Sequence, residues 1–229
     1  MFLEQVKAVI FDKDDTWTES HRHVFELYKN FGKHRSFRIP QDEEIIALWG
    51  RHIDQIIQGL WPELNGVAEW PFLSDFAKSI GFRTPVLPIA PTTFRELVNM
   101  NLLLGVITSS SRTGLDRSLA GLGFNPFLFT HSSDEMVGIE KPDPRVFDRG
   151  LALLSQKGIK KDNVVYVGDH GSDLIAARKA GIGFIAVTTG FTPREKFVNE
   201  FKHPANLVLT DISELPGLIR SKRMSLFNN

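Results

Sequence analysis

The sequence predicts an α/β protein: a doubly wound, parallel sheet with helices on both faces and a small helical cap inserted after the first strand. Three observations lead there. Short, wholly apolar, β-branched runs recur along the chain, as strands buried on both faces require. From about residue 88 onward such runs alternate with helical patterns, which implies parallel strands joined by crossover helices. Between the first run and residue 88 the alternation is missing and only helical spacing is found.

The first strand is residues 7–11 (KAVIF). In the stretch that follows, Val24, Leu27, Tyr28 and Phe31 have helical spacing, as do Ile45, Leu48 and Trp49, then Ile53, Ile56, Ile57 and Leu60. Leu73, Phe76, Ala77 and Ile80 make another helix, closed by Gly81. All four tryptophans (Trp17, Trp49, Trp61, Trp70) fall in this early part. Residues 18–85 are therefore expected to form a cap with its own aromatic core, and residues 1–17 and 86–229 the α/β core. Residues 103–107 (LLGVI) form the next strand, and the helix at 111–122 carries Leu115, Leu119 and Leu122 on one face. A weaker strand, 127–130, precedes a helix at 144–154 that starts with Pro in its first turn. Strands at 164–167 (VVYV) and 184–187 (FIAV) flank a helix at 172–180 that ends on Gly181. A weak strand at 207–209 leads to a short helix for which Asp211 and Glu214 read as a capping box. The tail, 221–229, reads as frayed.

Composition narrows the chemistry. The 27 Lys+Arg balance 27 Asp+Glu, so nothing in the net charge attracts nucleic acid or anionic lipid. No apolar run approaches the ~20 residues of a membrane span. Residues 1–7 lack the basic start and long apolar core of a secretory signal, and a cytoplasmic location is expected. With no cysteine, disulfides, thiolate zinc sites and Cys nucleophiles are excluded. None of the seven histidines forms His-Glu-x-x-His. Carboxylates, hydroxyls and lysines remain as working groups.

These groups gather at strand ends, where open α/β sheets bind ligands. The first strand runs into Asp12-Lys13-Asp14-Asp15-Thr16, and the strand at 164–167 into Gly168-Asp169-His170-Gly171-Ser172-Asp173. Carboxylates so crowded repel one another unless a cation sits among them, and a hard divalent ion, most simply Mg²⁺, suits oxygen ligands. Asp173, four residues after Asp169, falls in the first helical turn and points back to the same spot. Residues 108–111 (TSSS) put hydroxyls and amides at a helix start, a good phosphate site. Lys141-Pro142 adds a cation ahead of the helix at 144.

Asp12-x-Asp14-x-Thr16, Thr108 after a strand, Lys141-Pro142 and Gly168-Asp169-x-x-x-Asp173, in that order, resemble the haloacid dehalogenase-like hydrolase superfamily over essentially the whole chain. The insertion resembles the helical C1 cap of its phosphoglycolate phosphatase and β-phosphoglucomutase branch, on a Rossmann-like core. The resemblance implies Asp12 as nucleophile through an aspartyl-phosphate, and Asp14 as general acid and then base, with a raised pKa. It implies Thr108, Ser109 and Lys141 as phosphate-binding residues. Mg²⁺ would be held by Asp12, Asp169 and the backbone carbonyl of Asp14, with Asp173 close by. Asp15 and Trp17 stand where that family commonly has Gly and Leu, and Ser109 where Asn is frequent.

The expected function is hydrolysis of a small phosphorylated metabolite, with phosphoglycolate-like anionic monoesters favoured and no nucleic-acid or membrane partner. The chain would act as monomer or homodimer. In residues 47–53 (ALWGRHI), Gly50 would break the helical run and turn Arg51 toward the cavity to clamp an acidic leaving group. Arg51 and His52 read equally as solvent-facing helix residues. His21-Arg22-His23 and His170 lie near the site without an assigned role. A phosphomutase of the β-phosphoglucomutase kind is the alternative, and a non-catalytic binding protein on the same fold a weaker one. Asp14 argues against C–halogen and phosphonate cleavage.

Overall fold

The computed structural model describes residues 2–224. The chain enters β1 (Ala8–Phe11) and then four helices, α1 (His21–His34), α2 (Asp42–Leu48), α3 (Ile53–Leu60) and α4 (Gly66–Ser79). α5 (Ala90–Asn99) and β2 (Leu103–Ile107) return it to the sheet. There follow α6 (Arg112–Gly121), β3 (Phe127–His131), α7 (Asp148–Gln156), β4 (Val164–Gly168), α8 (Gly171–Ala180), β5 (Gly183–Val187), β6 (Val208–Leu209) and α9 (Leu215–Met224). The strands make one sheet in the order β3-β2-β1-β4-β5-β6, and every neighbouring pair is parallel. Phe11, the last residue of β1, faces Val106 on one side and Val167 on the other. The winding reverses between β1 and β4, and their carboxyl ends open a crevice there.

Successive strand residues point to opposite faces. Val9, Phe11, Val106 and Val167 join Phe94, Leu97, Leu115 and Ile219 in a core with α5, α6 and α9. Ala8, Ile10, Tyr166 and Phe184 join Leu151, Leu154 and Leu174 in a second core with α7 and α8. Helices cover both faces, which is why the strands lack polar alternation.

Some expectations need correction. α5 goes unread in the sequence, since polar Thr93 is buried beside Ala90, Phe94 and Leu97 and blurs its apolar stripe. The helix expected from 144 opens as a 3₁₀ turn, Pro144–Phe147, with Asp143 accepting from the Arg145 amide at 2.9 Å. The box at 211 is offset by one residue. Asp211 accepts from the Ser213 amide at 2.7 Å, but Glu214 reaches back to the Thr210 amide at 2.8 Å. Residues 221–224 continue α9, and Arg223 donates to the Val6 and Met100 carbonyls at 2.7 and 3.2 Å. The rest of the tail, 225–229, lies outside the described residues. Among the described residues no helix is long and apolar enough to cross a membrane.

Helices α1–α4 bury a third core around Phe25, Tyr28, Phe31, Ile45, Ile57, Leu60 and Trp61. Trp61 is fully buried and donates its Nε1–H to the Arg38 carbonyl at 2.8 Å. Trp17 belongs elsewhere. It packs in the sheet core, 5.8 Å from the Phe94 ring and 5.9 Å from Phe127.

Candidate active site

β1 and β4 deliver the first carboxylates by their register. Asp12 follows Phe11 directly, and its amide donates to the Val167 carbonyl at 2.8 Å, so the chain is still locked to β4 where the carboxylate begins. Asp169 follows Gly168 at the end of β4. Asp173 lies in the first turn of α8, where its Oδ2 accepts from the His170 amide at 3.0 Å. Gly168 has to be small: a Cβ there would lie 2.6 Å from the Asp173 carboxylate. Oxygens of Asp12, Asp169 and Asp173 all lie within 4.8 Å of one another. The three residues are only 5, 2 and 1% exposed.

Lys141 enters this cluster from the loop before α7. Its Nζ donates to Asp12 Oδ1 at 2.8 Å, to Asp173 Oδ1 at 2.6 Å and to the Tyr166 hydroxyl at 3.2 Å. Burial alone would lower the ammonium's pKa, but Asp12 and Asp173 hold it well above the ordinary lysine value. Burial first, opposed by Lys141 and aided by Asp173 and Asp14, pushes the Asp12 carboxyl up to about 7. Burial, then Asp173 and Asp12, raise Asp169 well above the usual carboxylate range. One lysine thus answers three carboxylates.

The donor set fits a divalent cation. Its ligands are hard oxygens, and Asp169 Oδ2 is buried with no hydrogen-bond partner. Gly190 leaves room for that oxygen, since a Cβ there would sit 1.8 Å from it.

Asp14 departs from expectation. Burial would raise its carboxyl, but the Lys13 ammonium and hydrogen bonds from Lys13, Ser110 and Ser20 outweigh it and hold the group below the usual carboxylate range. Ser20 Oγ donates to Oδ1 at 2.5 Å, while Lys13 also binds Oδ1 and Ser110 Oγ binds Oδ2. The raised pKa expected of a standing acid is therefore not present. Ser20 is a functional candidate that the sequence reading missed, and Ser110, expected as part of a phosphate site, binds Asp14 instead. Thr108 is buried, and its Oγ1 accepts from the Ser110 amide at 3.1 Å.

Asp15 has φ +53°, a left-handed backbone that glycine adopts most readily. Its side chain holds the turn by accepting from the Ser20 and His21 amides at 2.9 and 3.1 Å and pairing with His21 Nδ1 at 2.8 Å. The departure from glycine at this position thus carries its own brace.

The helical insertion lies over the crevice and encloses a cavity of about 190 Å³. Its wall includes Asp12, Asp14, Ser109, Ser110, Lys141 and Asp169 from the core and Tyr28, Trp49, Arg51 and Trp70 from the insertion. Gly50, at φ +83°, turns the α2–α3 loop onto the start of α8; a Cβ there would lie 3.9 Å from His170 Nδ1 and Ser172 Oγ. Arg51 lines the cavity wall. His170 lines it too, with Nδ1 2.9 Å from Ser172 Oγ. The cavity wall contains none of His21, Arg22, His23 and His52. His21 serves Asp15, Arg22 faces Glu19 at 3.6 Å, and the His52 amide donates to Glu140 at 3.3 Å. Phe191, from the loop after β5, stacks on Phe25 at 5.5 Å and meets Trp49 edge-on at 5.5 Å.

Comparison with known proteins agrees with this fold. A family model described as haloacid dehalogenase-like hydrolase matches residues 9–187. A glyceraldehyde 3-phosphate phosphatase of Methanopyrus kandleri is 27% identical over 205 residues, covering 81% of this chain and 85% of the relative. A phosphoglycolate phosphatase of Photorhabdus laumondii is 22% identical over 225 residues, covering 95% and 94%. The structure of CbbY from Rhodobacter sphaeroides in complex with phosphate superposes with a TM-score of 0.75 at 19% identity, over 92% of this chain and 96% of that one.

Proposed function

The chain belongs to the haloacid dehalogenase-like hydrolase family, and from that premise we propose that it is a Mg²⁺-dependent phosphatase of small phosphorylated metabolites, with residues 18–85 as the cap. The observation that carries this reading is the convergence of Asp12, Asp169 and Asp173 around Lys141 at adjacent strand ends. Anionic monoesters such as phosphoglycolate are the favoured substrates, because Lys141 and Arg51 face the cavity.

Asp12 Oδ attacks phosphorus in line. The new O–P bond forms an aspartyl-phosphate as the ester O–P bond breaks, and Asp14 gives the leaving alkoxide its proton. Asp14 then takes a proton from water, whose oxygen attacks the same phosphorus and releases phosphate and Asp12. The ionised Asp14 described above suits this second step. For the first it gains its proton when a dianionic phosphoryl group arrives beside it, since a like charge raises a carboxyl pKa. Lys141, Thr108 and Ser109 hold the phosphoryl oxygens. Asp12 and Asp169, with the Asp14 carbonyl, would hold Mg²⁺, which supplies positive charge against the phosphoryl oxygens.

Steady-state hydrolysis of p-nitrophenyl phosphate with Mg²⁺, and its loss in EDTA, tests the reading. Absence of turnover by folded, Mg²⁺-loaded protein across pH 5–9 would refute it. A product assay on a hexose 1-phosphate separates hydrolysis, which yields free phosphate, from mutase chemistry, which yields the 6-phosphate.

A further inference from the structure

We infer that Arg83 and Arg117 form a second anion-binding subsite where the cap meets α6, and that the substrate carries, besides its phosphate, a second anionic group that this pair receives. The inference rests on the phosphatase reading and specifies the leaving group.

The arginines separate into two sets. Arg22, Arg35, Arg38, Arg112, Arg145 and Arg220 bind carboxylates. Arg149, Arg178, Arg194 and Arg223 bind carbonyls, and Arg95 lies over the Phe124 ring. Among the described residues, only the side chains of Arg51, Arg83 and Arg117 have no such partner, and all three line the one cavity that holds Asp12. A protein with zero net charge has left its unpaired guanidiniums in one place.

Arg83 and Arg117 also begin side by side. The next residues, Thr84 and Ser118, have hydroxyls 3.3 Å apart across the seam between the cap's exit and α6. The nearby acids are committed elsewhere. Asp116 accepts from Arg112 Nε and Nη2 at 3.0 and 2.6 Å, and Asp134 accepts from the Arg112 amide at 2.7 Å. Two guanidiniums that line one cavity from neighbouring backbone positions, without a counter-charge, can receive an arriving carboxylate or phosphate with charge-assisted, bidentate hydrogen bonds.

Placement indicates which part of the substrate arrives there. α6 begins two residues after Ser110, which binds Asp14, and Arg117 lies five residues into it, about 7.5 Å along the axis at 1.5 Å per residue. The pair is thus farther out than the phosphoryl site, on the leaving-group side. Trp70, Leu73 and Phe82 line the same cavity and suit a carbon chain. Arg51 approaches differently: its loop rests on α8, beyond β4, whereas Arg117 rides on α6, beyond β2.

Matched alkyl phosphates ending in a hydroxyl or in a carboxylate, in chains of two to five carbons, test the pair. The wild type is expected to favour the carboxylate-ended series by about tenfold or more in kcat/KM, chiefly through KM. In R83A/R117A that ratio falls toward one, and R83K/R117K recovers part of it. Calorimetric binding of the same compounds to D12N and to D12N/R83A/R117A reads the preference without turnover. An anion preference that survives in the folded double variant, or that the wild type never shows in kinetics or binding, overturns the inference. If instead neither series is hydrolysed while D12N still prefers the carboxylate end and the triple variant does not, the phosphatase reading fails and the subsite stands.

Discussion

At the scale of single residues, Asp12 and Asp14 behave as opposites, and substitution separates them. Asp12→Asn keeps an oxygen for Lys141 and removes one charge from a crowded trio, so turnover is expected to vanish while stability changes by about 1 kcal/mol or less. Full activity in this variant would end the covalent proposal. Asp14→Asn is expected to cost about 10²–10⁴-fold in kcat, the usual range for a general acid–base; a loss under tenfold would remove Asp14 from the proton path. His203 gives a separate pH signal. Burial, aided by Arg178, pushes its imidazole down to about 4, beneath the Phe184 ring at 5.4 Å. The unfolded chain, with an ordinary histidine value near 6.5, therefore binds the proton more readily. The associated stability is complete above about pH 6.5 and is lost as pH falls toward 4. Urea midpoints at pH 7.5 and 5 should fall further for the wild type than for His203→Gln, by the equivalent of about 1–2 kcal/mol; equal falls would contradict this.

At the scale of elements, strands were easy to read and polar partnerships were not. β1, β2, β4 and β5 announce themselves because each is apolar on both faces. The Asp12, Asp169 and Asp173 cluster was legible for a related reason: strand-end position and an i,i+4 spacing fix direction without any tertiary knowledge. The Asp14 environment was illegible, since Ser20 and Ser110 reach its carboxylate from 6 and 96 residues away. Trp17 was grouped with the other tryptophans by proximity in sequence, yet the backbone after β1 turns it under α5. Within the insertion, Trp61→Phe removes the bond to the Arg38 carbonyl and should cost about 1–3 kcal/mol. Amide exchange should then rise in α1 and α3 while β1 and β4 stay protected; uniform loss across the protein would mean that the insertion is no separate unit.

At the scale of the whole molecule, a cation held by Asp12, Asp169 and Asp173 would couple its binding to folding. A ligand that binds only the native carboxylate cluster adds RT ln(1 + [L]/Kd), about 2.7 kcal/mol at a hundredfold excess over Kd. Thermal unfolding should therefore shift upward with Mg²⁺, return to its starting point with EDTA, and respond little in Asp169→Asn/Asp173→Asn. A wild-type midpoint indifferent to millimolar Mg²⁺ would argue that Lys141 alone balances the cluster.

The central place of β1, flanked by β2 and β4, also governs how the protein is made. A nascent chain that has not yet reached Val164 presents one open edge of its most apolar strand to whatever lies beside the ribosome. Such an edge is a template for wrong pairing. Docking of β4 shields that edge and sets Asp169 beside Asp12, and α8 then adds Asp173.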